Sequence, residues 1–271
     1  MSAQGQNVAL VTGASSGIGA ACAAGLARAG YRVIGASRTE PVGGIEGVDW
    51  RAMDVRSRAS VDEAVAGILA QKGRIDLVVQ CAGYSLVGAV EDSDDADITA
   101  QLDTNLTGAW RVARAILPVM RAQGDGCILL IGSIGGSIGL PFQAGYSASK
   151  FALAGFAEAL SAEVRDLGIR VVLVEPGNYR TPINQRRVRV ARADERSAYD
   201  AAFTRALATI LIDEARGHDP AALADRIVQI AGSQAPKLRY RVGPWMERLA
   251  PLAKALLPGR LFERILIGLY L

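Results

Sequence analysis

Short apolar runs rich in Val, Ile and Leu alternate along this chain with longer stretches whose apolar residues recur every three or four positions. The short runs are typical of strands buried on both faces, and the longer stretches are typical of helices with one apolar face. The pattern predicts seven strands, at 8–12, 32–36, 50–53, 77–80, 127–132, 170–175 and 238–242. It predicts helices between them at 17–29, 60–71, 97–123, 146–167 and 220–231.

Strands and helices that alternate this regularly predict an α/β fold, a Rossmann-type doubly wound parallel sheet of about seven strands with helices on both faces. The 271 residues, half of them hydrophobic, are enough for one sizeable core. No repeat or linker divides the chain. We therefore predict one domain over 1–244 with an apolar C-terminal extension at 245–271.

Composition and charge exclude several classes of function. Thirty Lys and Arg against 27 Asp and Glu, with 6% aromatic residues, do not favour a nucleic-acid partner. Cys22, Cys81 and Cys127 are widely spaced, and the one histidine, His218, lies in a predicted loop, so no metal site is predicted. The N-terminal residues do not resemble a secretory signal, which favours a cytoplasmic location.

A glycine-rich turn, TGASSGIG at 12–19, joins the first predicted strand to a helix. Backbone N–H groups converge at such a helix N-terminus, where the helix dipole also favours negative charge. An ordinary tight turn is the alternative, but the strand–turn–helix context favours a pyrophosphate ligand. The turn predicts a dinucleotide site that includes Gly13, Ser15, Ser16, Gly17, Ile18 and Gly19.

The end of the second predicted strand indicates which dinucleotide is preferred. Folds that bind NAD place an acidic residue about 20 residues past the glycines, on the ribose 2′-hydroxyl. This chain has Ser37 and Arg38 there, and a guanidinium binds a 2′-phosphate that a carboxylate would repel. NADP(H) is therefore predicted rather than NAD(H). Asp54 and Val55, which end the third strand, can contact the adenine.

Tyr146 and Lys150 stand four residues apart on a long predicted helix and so share one face. A cation beside a phenol favours the phenolate, which makes Tyr146 a candidate acid–base group. This spacing is also common on solvated helices. Ser133 follows the fifth predicted strand at the same edge of the sheet, where its hydroxyl can bond a substrate oxygen.

Taken together, these motifs resemble the short-chain dehydrogenase/reductase family in order and spacing, over about residues 7–242. The resemblance implies that Tyr146 is the general acid of carbonyl reduction and the base of alcohol oxidation. It implies that Lys150 binds the nicotinamide ribose and stabilises the tyrosinate, that Ser133 positions the carbonyl, and that Asn105 holds a water. The resemblance also implies that residues 1–244 form a dinucleotide-binding and catalytic domain. The loop that orients the nicotinamide contains Pro176, Gly177 and Thr181.

One position departs from the family pattern. Where the family has Asn-Ala-Gly after the fourth strand, this chain has Cys81, Ala82 and Gly83. The cofactor's close approach at Ala82 and Gly83 is expected to survive. Loss of the asparagine amide, which tethers neighbouring strands in the family, is expected to change the local rigidity beside the adenosine ribose.

Segments at 131–136, 140–142, 146–153 and 175–181 resemble the branch of 17β-hydroxysteroid and retinol dehydrogenases. This branch implies an NADP(H)-dependent oxidoreductase for a bulky apolar ketone, aldehyde or alcohol that is steroid-, retinoid- or lipid-like. Two alternatives stay open. One is reduction of a 3-oxoacyl thioester on an acidic carrier protein, and the other is a protein that senses NADP(H) without catalysis.

Two regions interrupt the alternation of strands and helices. Residues 178–219 are predicted to form a substrate lid. Residues 245–271, where prolines interrupt any single helix and the uncharged end at 265–271 is too short to span a membrane, are predicted to pack on the lid or a neighbouring subunit. Weak contact with a membrane surface is the alternative. The segment at 178–219 also contains Arg186, Arg187, Arg189 and Arg192, for which a solvated helix face, or contact with an acidic substrate or a cofactor phosphate, is predicted. The first three could also bind an acidic carrier protein.

The predicted helices at 97–123 and 146–167 resemble those that pair between subunits in the family. Small side chains on the second helix permit close packing against another copy. A homodimer or homotetramer is therefore predicted, with contacts at Ala152, Ala154, Ala157 and Ala159.

Overall fold

The computed structural model describes residues 6–181, 187–194 and 196–271. Its strands are β1 (Val8–Thr12), β2 (Arg32–Ser37), β3 (Val48–Ala52), β4 (Leu77–Gln80), β5 (Leu86–Val87), β6 (Gly126–Ile131), β7 (Ile169–Pro176), β8 (Val188–Arg189) and β9 (Arg239–Val242). Seven of them form one parallel sheet in the order β3-β2-β1-β4-β6-β7-β9. The short strands β5 and β8 form a separate parallel pair.

The helices are α1 (Gly17–Arg28), α2 (Arg58–Lys72), α3 (Asp95–Leu102), α4 (Gly108–Gln123), α5 (Ala144–Glu163), α6 (Asp200–Ala215), α7 (Pro220–Ala231), α8 (Trp245–Leu256) and α9 (Gly259–Tyr270). None of the helices in the described part of the chain is long and apolar enough to cross a membrane. The strand order is that of a doubly wound Rossmann-type sheet, which confirms the predicted α/β fold class.

The sheet is buried on both faces, because alternate residues of each strand point in opposite directions. In β1, Leu10 belongs to the cluster that packs under α2, α4 and α5, whereas Val11 belongs to the cluster under α1 and α7. Every residue of β1, β4 and β6 is buried. This double burial explains why the strands appear in the sequence as continuous apolar runs.

Two predictions about helices need correction. The segment predicted as one helix at 97–123 contains a π-helical turn, Asp103–Thr107, in which the Gly108 N–H bonds the carbonyl of Asp103. In the extension, Pro251 lies inside α8, while the chain breaks at Pro258 before α9. The prediction that both prolines interrupt a helix was therefore wrong for Pro251.

Helix α6 was not predicted, although Phe203, Ala206 and Ile210 form its buried face at helical spacing. The predicted contacts of α5 with another copy also need correction. Ala154 and Ala157 are 7% and 0% exposed and belong to this chain's own core. They pack beneath the sheet because they lie on the inner face of α5.

Candidate active site

Ser133, Tyr146 and Lys150 come together at the carboxyl edge of the sheet. Ser133 follows β6, and its hydroxyl accepts a 3.0 Å hydrogen bond from the Gly135 N–H. The Ser133 side chain is also hydrogen-bonded to Tyr146, in the first turn of α5. One turn further, the Lys150 ammonium lies 5.9 Å from the centre of the Tyr146 ring and donates to the Ile131 carbonyl at 2.8 Å. The arrangement places a hydroxyl, a phenol and an ammonium around one point.

Burial dominates the electrostatics of this group. Burial raises the pKa of Tyr146, while its hydrogen bond with Ser133 acts in the opposite direction. Burial also lowers the pKa of Lys150 to about 8. The pKa of Tyr146 therefore shifts opposite to the direction expected from a neighbouring cation alone, because loss of water disfavours the phenolate.

Asn105 lies inside the π-helical turn and is almost fully buried. Its carboxamide accepts a hydrogen bond from the Tyr84 N–H and donates to the Tyr84 carbonyl, both at 3.1 Å, and it donates to the Ser149 hydroxyl at 3.0 Å. A Cβ on Gly83 would stand 3.0 Å from the amide oxygen of Asn105 and 3.9 Å from the Lys150 nitrogen. Asn105 thus joins the chain after β4 to α5 beside Lys150, and π turns are frequent at functional sites.

A cleft of about 600 Å³ runs along the residues that follow β1, β2, β3 and β4. It is lined by most of the residues predicted to bind the dinucleotide, namely Gly13, Ser15, Ser16, Gly17, Ile18, Gly19, Ser37, Arg38, Asp54, Val55, Cys81, Ala82, Gly83 and Thr181. Pro176 and Gly177 line a second cavity instead, together with Tyr146. Ile18 and Thr181 line both, so the two cavities meet.

The glycine turn leaves the cleft open to a ligand that needs close contact with the backbone. Gly13 has a φ of +67°, and a Cβ there would lie 2.8 Å from the Ala82 nitrogen. A Cβ on Gly19 would overlap the carbonyl of Gly13. Side chains at either position would clash with the backbone, so glycine is required for the close packing of the turn. The turn lines the cleft at the N-terminus of α1, where a pyrophosphate can bind.

Two arginines line the far end of the cleft, and one of them was missed by the sequence analysis. Arg38 is exposed there. Arg56 forms a 2.7 Å ion pair with Asp54, and this hydrogen-bonded guanidinium lowers the pKa of the carboxyl. Arg56 is the residue that was missed, although the sequence places it two residues after Asp54 in the loop that follows β3. The carboxylate predicted to face the adenine is therefore already paired.

Cys81 packs against another thiol. Its hydrogen bond with Cys22, together with burial, raises the pKa of Cys81 well above its ordinary value. The next residue, Ala82, donates its N–H to the Thr12 hydroxyl at 3.2 Å. This bond links the chain after β4 to the end of β1, so a strand tether exists here without the family's asparagine.

The second cavity, of about 710 Å³, extends from Ser133 and Tyr146 and is walled by α6, α8 and α9. Its apolar lining includes Ile134, Ile138, Leu140, Ile210, Met246, Leu249, Ala253, Phe262, Leu266 and Leu269. The predicted lid and the C-terminal extension therefore border one cavity with the candidate catalytic group.

Of the arginines predicted on a solvated face, Arg189 and Arg192 are exposed, although each makes a contact, whereas Arg187 is not exposed. The Arg187 side chain, only 5% exposed, pairs with Glu214 of α6, so the predictions that it is solvated or binds an acidic carrier were wrong. Arg189 stacks 5.8 Å above the Phe203 ring. Arg192 donates to the Glu91 carbonyl at 3.0 Å. Arg186 lies outside the described residues.

Comparison with known proteins agrees with this geometry. Residues 7–191 match the family model for short chain dehydrogenase. The chain is 36% identical to 3-ketodihydrosphingosine reductase of Bacteroides thetaiotaomicron, over 94% of this chain and 95% of that protein.

Two solved structures are also similar. A short-chain dehydrogenase from Streptomyces avermitilis is 30% identical with a TM-score of 0.81, covering 97% of this chain and 99% of that one. An actinorhodin polyketide ketoreductase variant with NADPH is 32% identical with a TM-score of 0.73, covering 89% and 97%. With its strand order, its glycine turn and these matches, the chain belongs to the short-chain dehydrogenase family of oxidoreductases.

Proposed function

We propose that this protein is an NADP(H)-dependent oxidoreductase that interconverts a bulky apolar ketone or aldehyde with the corresponding alcohol. The junction of the two cavities carries the proposal. Ser133 and Tyr146 line the apolar cavity, whereas the glycine turn lines the polar cleft, and Ile18 and Thr181 belong to both. A substrate carbonyl and a dinucleotide can therefore meet beside the phenol.

The residues present fit an NADP(H) molecule. The turn with Gly13 and Gly19 lines the polar cleft at the N-terminus of α1, where a pyrophosphate can bind, and the exposed Arg38, beside Ser37, provides donors for the 2′-phosphate. The cofactor, when bound, supplies or accepts a hydride. The adenosine would lie along Asp54, Val55, Cys81, Ala82 and Gly83, and the nicotinamide would lie along Pro176, Gly177 and Thr181.

The catalytic group performs the proton chemistry. In reduction, Ser133 donates a hydrogen bond to the carbonyl oxygen, which holds that oxygen within reach of the phenol, and Tyr146 transfers its proton to it. In oxidation Tyr146 removes the same proton from the alcohol. The Lys150 ammonium stabilises the tyrosinate and binds the ribose hydroxyls, while Asn105 fixes this part of α5 and holds a water.

The apolar cavity supports a large substrate. Its lining includes Tyr146, Leu140 and Ile210, together with Phe262 and Leu266 of α9. Among steroid-, retinoid- and lipid-like carbonyl compounds we favour a long-chain ketone. The similar protein from Bacteroides thetaiotaomicron is a reductase of a ketone, 3-ketodihydrosphingosine.

The two alternatives are less well supported. Arg187 is not accessible to an acidic carrier protein, because its side chain is buried against Glu214. A sensor without catalysis would not require Ser133, Tyr146 and Lys150 to converge. One assay of carbonyl turnover nevertheless distinguishes the proposed function from both alternatives.

A panel of carbonyl compounds tests the function directly. We expect consumption of NADPH, followed by the absorbance of the reduced nicotinamide, with long-chain and steroid ketones. We expect much weaker turnover of short ketones, which bury little apolar surface in the cavity. Turnover only of a carrier-bound 3-oxoacyl thioester would favour the carrier alternative. NADPH binding without turnover of any carbonyl compound would contradict the proposal.

We further propose that two copies pair through α4 and α5. Trp110, 56% exposed, stacks on Phe156 with ring centres 5.2 Å apart, and Phe151 is 40% exposed on the same pair of helices. Light scattering is expected to give at least twice the 28.5 kDa mass of one chain. Trp110→Glu is expected to reduce this mass, because it places a charge in the contact. A wild-type monomer contradicts the pairing.

A further inference from the structure

One face of α8 is apolar, although it is largely exposed. Trp245, Leu249, Leu252 and Leu256 lie at successive spacings of four, three and four residues, and so form one stripe. Their exposed fractions are 68%, 48%, 49% and 74%. The opposite face of the helix packs inward around the buried Pro251.

Polar side chains of α8 contribute to this orientation by binding the body of the protein. Glu247 accepts hydrogen bonds from the backbone N–H and the side-chain amide of Asn178, at 2.7 and 2.9 Å. Lys254 donates to the Ser137 carbonyl at 2.9 Å and lies 4.9 Å above the Phe151 ring. The helix therefore presents its apolar stripe to the outside in a defined orientation.

Helix α9 repeats the arrangement. Leu261, Ile265 and Leu269, spaced four residues apart, are 46%, 46% and 63% exposed. The neighbouring side of the helix, with Phe262 and Leu266, lines the substrate cavity. Both helices line the same cavity and each exposes an apolar stripe, and exposed apolar surface of this extent marks an interaction surface.

The two stripes border the mouth of the cavity. Leu249, Ile265 and Leu269 line the cavity and are nevertheless each 46–63% exposed. Their side chains therefore belong both to the substrate cavity and to the outer surface. A molecule that covers the patch would have direct access to the apolar cavity.

Charge indicates what covers the patch. The sequence from 245 to 271 contains four basic and two acidic residues, and Glu247 is turned inward. Arg248, Arg260 and Arg264 are exposed on these two helices, against one exposed carboxylate, Glu263, so the exposed side chains of these four residues are net positive. Like charges repel each other when identical surfaces face each other, which disfavours a second copy, whereas an anionic bilayer attracts them.

We propose that the outer face of α8 and α9 docks on the surface of an anionic lipid bilayer, with the cavity mouth facing the acyl chains. Each helix has 12 residues, or a length of about 18 Å, against about 30 Å for the hydrocarbon core, so both lie in the plane of the interface. The docking does not depend on the chemistry of the catalytic group. It provides a route for an apolar substrate that has little solubility in water.

Sedimentation with vesicles tests the docking. The full-length protein is expected to sediment with vesicles of phosphatidylglycerol and phosphatidylcholine, and much less with phosphatidylcholine alone. The double variant Leu252→Glu, Leu256→Glu changes two exposed positions that do not line the cavity. It is expected to lose at least about tenfold in vesicle binding, because two carboxylates enter the apolar stripe.

A matched control separates docking from a general effect of charge. Val42→Glu with Val90→Glu adds the same charges at residues that are 105% and 72% exposed elsewhere, and it is expected to bind vesicles like the wild type. NADPH binding in solution reports folding and is expected to be unchanged in both variants. Equal vesicle binding by both double variants overturns the proposal. A second outcome would also overturn the proposal. If the wild type does not sediment with vesicles, and the Leu252→Glu, Leu256→Glu variant has a lower mass by light scattering, the face binds a second copy of this chain.

Discussion

Tyr146→Phe is expected to lower kcat for ketone reduction by about 10²–10⁴-fold, the contribution typical of a positioned general acid. The phenol is the group that can give a proton to the carbonyl oxygen, since Ser133 is hydrogen-bonded to it and Lys150 is engaged with Ile131. The dissociation constant for NADPH is expected to change little, because the glycine turn and Arg38 are untouched. Steady-state kinetics and cofactor titration measure the two effects separately.

Tyr199→Phe is the matched control for this change. It also removes one phenolic hydroxyl, whose 2.7 Å bond to Glu91 lies on an exposed part of the predicted lid. Its kcat is expected to stay near the wild-type value, since exposed bonds of this kind contribute little. If Tyr146→Phe turns over substrate as fast as Tyr199→Phe, Tyr146 has no part in the proton transfer.

The sheet could be predicted from the sequence because its strands are buried on both faces. Residues 8–11 and 77–79 are continuous apolar runs, and each strand ends one residue later at a buried polar residue. The convergence of Ser133 with Tyr146 follows from the same pattern, since residues after parallel strands share one edge of the sheet. This part of the site depends on topology, which the alternation of strands and helices determines.

Contacts between segments that are distant in sequence could not be predicted from the pattern of hydrophobic and polar residues. Arg187 and Glu214 are 27 residues apart, and nothing local indicates that the lid buries them together. The pKa of Tyr146 is likewise raised by burial, which the four-residue spacing from Lys150 does not reveal. The apolar extension was ambiguous because α8 and α9 have apolar residues on both their inner and outer sides.

Arg38→Asp is expected to weaken NADPH binding by about 10- to 100-fold, since charge-assisted hydrogen bonds contribute about 1.5–3 kcal/mol each and 1.4 kcal/mol is a factor of ten. NADH binding is expected to be retained or improved, because the introduced carboxylate can accept a bond from the ribose 2′-hydroxyl. Titration of both cofactors measures the ratio of the two affinities. Arg58→Asp makes the same change of charge on α2 outside the residues that line the cleft, and it is expected to leave this ratio unchanged.

The neighbouring Arg56 limits how far the preference can shift. It lines the same cleft but is hydrogen-bonded to Asp54 through two guanidinium nitrogens, at 2.7–3.2 Å. Its charge is thus largely neutralised locally, whereas Arg38 is exposed to a ligand. If Arg38→Asp leaves the preference for NADPH intact and Arg56→Ala removes it, Arg56 holds the 2′-phosphate, and Asp54 must release it when the cofactor binds.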